Sequence, residues 1–472
     1  MIMLCKKKLA LIFGAIMLGG GMSAAHAQVS PDSLGQALIY PYFTALNGWN
    51  TFIHVINTSS TLTVAAKVRF RAAVDSADLL DFIVVLSPSD VWTGVIEAQG
   101  GTVGFRPTDN TCTVPNIGKG GFMPFNNASS EGYVEVIMMG ASPSTAVDSV
   151  AVNAKHDFGT GLPKNCDAVA NAFASPASMS GTAAQFTTSL LAPTSNVLTG
   201  KYDLANVGLG QSGAGRATAL ANFAATGSPY RPATGLWSQS TGDWDHPTLA
   251  ESGSIGILPP TTGLSGLQLV NGWLSHATVI NEWVLNPNLG ELSSWVVTFP
   301  TKKLTVDAFN AINALGTQTT KLLNNFSGCQ TVAPLVYNRE EKPLILPSPG
   351  TSQLCNEVNV VNFKNGSINS SSILGSDVAV TLDTSALGSG VLAGWLQLGM
   401  PNTNINTGPA IPNRTLTQTT LTSFPNTNGG YILAPGGFNA QPSVGRPVLG
   451  FNITARTTPS DSVLYEHAYR SF

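Results

Sequence analysis

The chain has little charge. Asp, Glu, Lys and Arg together make up 10% of its 472 residues, against about a quarter in ordinary soluble domains. After the first few residues no dense run of Lys or Arg remains, which excludes nucleic acid as the expected partner, because phosphate backbones are gripped by basic patches. Lys67, Arg69 and Arg71 alternate along one apolar stretch; by period they share one strand face, expected to meet water. Nowhere beyond the N-terminal segment does an unbroken apolar run reach the ~20 residues of a membrane-crossing helix, so no transmembrane helix is expected. Cysteine is sparse, and no C-x-x-C pair occurs among Cys112, Cys166, Cys329 and Cys355. That argues against a four-thiolate metal site.

The N-terminus supplies the compartment. Lys6, Lys7 and Lys8 precede the apolar run Leu9–Leu18, and Ala25-His26-Ala27 is a small-x-small cleavage site. Residues 1–27 therefore read as a signal peptide, and the chain as exported to the periplasm, the cell surface or the medium. Loss of three Lys and no acid moves the net charge from −3 to −6. In an oxidising compartment the four remaining cysteines are expected as two disulfides. Three connectivities exist. Pairing of nearest neighbours, Cys112–Cys166 and Cys329–Cys355, is the one expected, closing loops worth about 4 and about 3.5 kcal/mol in the chain-entropy model.

What the chain has in quantity is alternation. Thr51–Asn57 puts Ile53 and Val55 on one face and Phe52, His54 and Ile56 on the other. Leu62–Phe70 alternates too, and Phe82–Leu86 is apolar on both faces, as in a strand covered on both sides. Asn57–Ser60 and Ser87–Asp90 are turns, because Asn and Ser bond their own backbone and Pro cannot donate to a ladder. Trp92 is a large anchor in the next strand. Gly132–Met139, His276–Glu282, Ser293–Phe299, Val358–Phe363, Val378–Leu382, Gly394–Leu398 and Pro447–Ala455 repeat the pattern. The expected fold is mainly β: an antiparallel β-sandwich, immunoglobulin-like or jelly-roll-like, with long loops and a few short helices. Residues 28–140 form its first part and 266–472 a second, which completes the same core or a core of its own. Residues 141–265, rich in Ala, Gly, Ser and Thr, read as an insertion, with short helices at Val169–Phe173 and Ala217–Ala225. Gly100–Asn127 reads as loop, and Leu304–Leu323 as partly helical.

Several pieces resemble a group of exported, β-rich bacterial surface proteins: LIYPYFT (Leu38–Thr44), NTFIHVINTSS (Asn50–Ser60), KVRFRAAVDSADLLDF (Lys67–Phe82), LSPSDVWTG (Leu86–Gly94), NEWVLNP (Asn281–Pro287), SSWVVTFPTK (Ser293–Lys302) and GRPVLGF (Gly445–Phe451). The resemblance implies export and β structure. It implies no activity and no site residues.

Chemical motifs are few. Gly208, Gly210 and Gly213 match G-x-G-x-x-G but lack a βαβ context and a P-loop Lys, so they read as a flexible loop without a cofactor. Asp75, Asp78 and Asp81 lack the Gly and terminal Glu of an EF-hand loop. Asp243, Trp244 and Asp245, beside His246, form the densest polar cluster. They are the speculative ligand contact, suited to a cation or a sugar. Trp49, Trp237, Trp273 and Trp295 are core residues or parts of a sugar platform.

The composition thus points away from an enzyme. It points to a structural, adhesive or self-assembling surface protein with a hydroxyl- and amide-rich exterior, whose partners are itself or cell-surface components. The aromatic tail Val463–Phe472 is the expected strand donor. Two alternatives remain: a carbohydrate-binding or glycan-active protein, and an outer-membrane β-barrel. The barrel reading rests on the terminal Phe472, although Arg470, Ala468 and Glu466 make a poor lipid-facing stripe.

Overall fold

A computed structural model describes residues 28–143, 149–174, 195–223, 249, 270–271, 273–303, 329–344, 352–388, 390–400, 446–457 and 460–470. The protein is mainly β, as the alternation predicts, and its sheets are antiparallel. One parallel pair occurs among the described residues, Val358–Asn365 beside Ala379–Asp383.

Two sheets build the N-terminal sandwich. The first runs Gln28–Val29, Thr218–Ala221, Ala37–Thr44, Glu131–Pro143, Leu62–Ala72, Asp78–Leu86, Cys112–Val114. The second runs Gln211–Arg216, Leu198–Asn206, Trp49–Asn57, Val91–Gln99, Thr102–Pro107, Met123–Pro124. Neither sheet closes on itself. They face each other across aromatic rings: Phe70 lies 5.1 Å from Phe105, and Phe82 lies 5.6 Å from Trp92. Ile53 and Val55 are buried in this core while Phe52, His54 and Ile56 are half-buried, the alternation read from sequence. Glycine serves the packing at Gly94, where an added methyl would collide with the Phe105 ring.

A third layer covers the outer face of the first sheet. The helices Ser149–Ala154 and Cys166–Ala174 place Val150, Ala154, Val169 and Phe173 on Ala65, Ile83, Val85 and Met139. Phe82–Leu86 is therefore buried on both sides, with Phe82, Val84 and Leu86 in the aromatic core and Ile83 and Val85 under the helices.

The C-terminal strands form one long sheet bent at the hairpin between Thr278–Asn286 and Glu291–Thr298. One wing carries Thr278–Asn286, Ala393–Gly399 and Gln330–Asn338; the other carries Glu291–Thr298, Val358–Asn365 and Leu449–Thr457. The wings enclose a second core around Trp283, Trp295, Val336, Phe363 and Leu396. The second wing is buried on its other side as well. Val296, Val360, Phe451 and Ile453 join the first core, so the two sandwiches share a sheet.

Several sequence expectations change. Leu198–Asn206, Gln211–Arg216 and Thr218–Ala221, inside the expected insertion, are edge or near-edge strands of the N-terminal sandwich. Over its described part the expected helix Ala217–Ala225 is instead a strand, Thr218–Ala221, which pairs with Ile39, Leu38 and Ala37. Gly208–Gly213 is no flexible loop but a hairpin turn and the start of a strand. Gly100–Asn127 contains three short strands rather than loop alone. Val169–Phe173 is helical as expected. Leu304–Leu323 lies outside the described residues.

Candidate functional site

The basic stripe is the main correction. Lys67, Arg69 and Arg71 do not meet water: they are 1%, 1% and 6% exposed. The ladder explains how such a face can be covered. Arg69 stands opposite Asp81 on one neighbouring strand and Glu135 on the other, and Arg71 stands opposite Asp78. Lys67 Nζ lies 2.8 Å from Asp81, Arg71 Nη1 3.0 Å from Asp78, and Glu135 within 4.0 Å of both arginines. Three cations and three carboxylates thus interleave on the outer face of the first sheet. Burial lowers the Lys67 ammonium to about 8, against the pull of Asp81. A buried charge persists only when paired in this way. Asp75, Asp78 and Asp81 are accordingly no cation loop; the last two answer the stripe. The signal in the sequence was Glu135, a single carboxylate in the apolar strand Gly132–Met139.

The ladder leads into the junction with the C-terminal sandwich. Tyr133 stands opposite Arg71, and its hydroxyl meets Ser76 at 2.8 Å and donates to the Pro300 carbonyl at 3.1 Å. Glu131 accepts from the Tyr42 hydroxyl and from the backbone N–H of Asp377, both at 2.8 Å. Thr298 donates to the Pro41 carbonyl at 2.6 Å, and Val358 N–H to Ala73 at 2.9 Å. Glu357, 3% exposed, sits 4.0 Å from Lys302. Burial raises its carboxyl to about 7, while Lys302 and the Ser76 hydroxyl pull the other way and Asp75 adds to the rise.

A buried histidine, His467, and a half-buried one, His276, act in the opposite sense. His467 has both ring nitrogens engaged, Nε2 at 2.9 Å from the Val296 carbonyl and Nδ1 at 3.0 Å from the Asn281 amide. That pattern suits a neutral ring donating to Val296 and accepting from Asn281. Burial lowers its pKa to about 3, and that of His276, stacked on Tyr469, to about 4.

These groups give a pH prediction. The folded Glu357 pKa of about 7 exceeds its ordinary 4.5, so its contribution is complete below 4.5 and is lost as pH rises through about 7. The histidines sit below their ordinary 6.5, so theirs is complete above 6.5 and is lost as pH falls. The two oppose each other in the mildly acidic range. Thermal melts from pH about 4 to about 8 should show a shallow profile for the wild type. Glu357→Gln should steepen the acid loss and His467→Gln should flatten it; parallel profiles for all three would refute the assignment.

Other polar groups are structural. Ser87 Oγ and Asp90 both approach Nδ1 of His156, at 3.2 and 3.6 Å. A proton relay needs its two partners on different ring nitrogens, so this trio clamps a turn. His54 pairs with Asp203 at 3.1 Å on the surface of the second sheet. Trp49, Trp92 and Trp295 are core residues, at most 1% exposed. Asp243, Trp244 and Asp245, with Trp237, lie outside the described residues. Both expected disulfides form, Cys112–Cys166 and Cys329–Cys355. The first ties the edge strand Cys112–Val114 to the covering helix. Among the described residues no group of three His, Cys, Asp or Glu is placed to hold a metal ion, and no helix is long and apolar enough to cross a membrane.

In comparisons with known proteins, no family model, no curated protein and no solved structure matches this chain.

Proposed function

We propose that this is an exported surface protein with a structural or adhesive role, acting by self-association or by binding cell-surface components, without catalysis. One observation carries the reading. The scarce charge is spent inside: Lys67, Arg69, Arg71, Lys302, Arg446, Glu131, Glu135 and Glu357 are all buried. Charge is scarce in the whole chain, at 10% of its residues, and these eight do not reach the exterior. Hydroxyl and amide surfaces lose little on close contact, because few charges must shed water. The two disulfides fit an oxidising compartment. The resemblance of the terminal motifs to exported surface proteins agrees with this.

Cross-linking on intact cells tests the idea. The expected result is recovery of the chain in larger species. Recovery as an uncross-linked monomer, or turnover of a glycan by the purified chain, would count against it.

A further inference from the structure

The tail expected to donate a strand is taken up within the chain. Ser460–Glu466 forms a hairpin with Leu449–Thr457, and the Tyr465 and Glu466 carbonyls accept from the Asn281 amide at 3.2 and 3.3 Å. Ala468–Arg470 pairs with Thr278–Ile280 and widens the wing that carries Thr278–Asn286, Ala393–Gly399 and Gln330–Asn338. The inner face of that wing is the second core, through Trp283, Val336 and Leu396. Strand alternation therefore puts Glu282, Tyr337 and Trp395 on its outer face.

Register lines these side chains up. Pro343, Tyr337, Trp395 and Glu282 stand opposite one another on four successive strands. Gln397 stands one step along, between Leu335 and Ile280. The Tyr337 and Trp395 rings are stacked, with centres 4.1 Å apart and planes within 7°. Both are half-buried, and Glu282 is exposed. Tyr337 covers one face of the indole, so the other face turns toward the strand of Glu282.

Trp395 also differs from the core tryptophans in its N–H. Trp49, Trp283 and Trp295 donate theirs to the Ile373, Tyr337 and Glu282 carbonyls at 2.9, 3.3 and 2.7 Å. Among the described residues the Trp395 N–H, the Tyr337 hydroxyl, the Gln397 amide and the Glu282 carboxylate have no hydrogen-bond partner, and all four stay open to water. An indole N–H donates, a carboxylate accepts, and an amide and a hydroxyl do both. That set matches groups that donate and accept together, as sugar hydroxyls do, and it surrounds an apolar ring face of the kind that packs against the C–H face of a pyranose.

We propose that this face binds a neutral polysaccharide, one sugar ring packing on Trp395 while hydroxyls bond Glu282, Gln397 and Tyr337. The one charge in the row, Glu282, repels acidic sugars. The rings stand on a sheet surface, which suits a chain lying across it better than an enclosed single sugar. The inference rests on the reading of this protein as a binder of cell-surface components, and it names the class of component.

An array of immobilised neutral and acidic polysaccharides, probed with the full chain lacking residues 1–27, tests the site. Neutral polysaccharides should retain the wild type. Trp395→Ala should weaken that binding at least about tenfold, and Trp395→Tyr should restore part of it. Glu282→Lys, on an exposed side chain, should weaken the same binding with an unchanged melting temperature, which separates loss of the site from loss of the fold. Absence of any neutral signal, signal confined to acidic chains, or neutral binding that Trp395→Ala and Glu282→Lys leave unchanged would overturn the inference. Cross-linking on intact cells reads the structural role independently, so this site can fail while that role stands.

Discussion

Replacing Glu135 by Gln is expected to destabilise the fold by about 3–5 kcal/mol, the usual result of removing one partner from a buried ionic group. Glu135 is 1% exposed and lies within 4.0 Å of both Arg69 and Arg71, which Asp78 reaches from the other neighbouring strand at 3.4 and 3.0 Å. Gln keeps the volume and removes the charge. The ladder then holds a surplus cation on a face that water cannot reach, where the attraction that offset its desolvation is gone. Urea denaturation followed by tryptophan fluorescence measures the loss. A second variant separates charge from packing. Glu135→Leu combined with Arg71→Met removes the ion and its partner together, and should recover much of the stability, because apolar replacements of buried pairs are often neutral. A Glu135→Gln protein as stable as the wild type would mean that the stripe is solvated after all.

Phe70→Ala should cost a similar amount, about 3–5 kcal/mol. Phe70 is fully buried at the centre of the N-terminal core, with ring centres of Phe105, Phe125, Phe43 and Phe82 between 5.1 and 6.2 Å away. These rings come from both sheets, so truncation opens a cavity at the interface that makes the sandwich. Neighbouring aromatic rings collapse poorly into such a gap. Phe70→Leu, which fills most of the volume, should cost less than half as much. The same denaturation experiment reads both. An alanine variant within about 1 kcal/mol of the wild type would show that the two sheets do not meet there.

The lesson of the stripe concerns what alternation can and cannot reveal. Period two correctly sorted Ile53 and Val55 from His54, and Ala66, Val68 and Phe70 from Lys67, Arg69 and Arg71. It says which residues share a face. It does not say what lies over that face. Here acids on two neighbouring strands and a helical layer lie over it, and they come from residues 78–81, 135 and 149–174. Only three-dimensional register brings them together.

Propensity misled in the same way at Gln211–Arg216. Its glycines read as loop, yet Gly213 and Gly215 let Leu464 and the Tyr202 ring approach closely. Ala-rich Thr218–Ala221 looked helical because nothing local announces its partner Ala37–Ile39. The disulfides were legible because the cysteines close in sequence were also close in space. The tail was half legible: its strand character was plain, but its partner within the chain was not.

Labelling of intact cells with a membrane-impermeant amine reagent tests the central claim most directly. Lys201, on the exposed face of the second sheet, is a suitable target. The account predicts label on Lys201 before the envelope is permeabilised, in a chain whose Cys112–Cys166 and Cys329–Cys355 pairs resist alkylation. Label that appears only after the cells are broken, on a chain with free thiols, would contradict it.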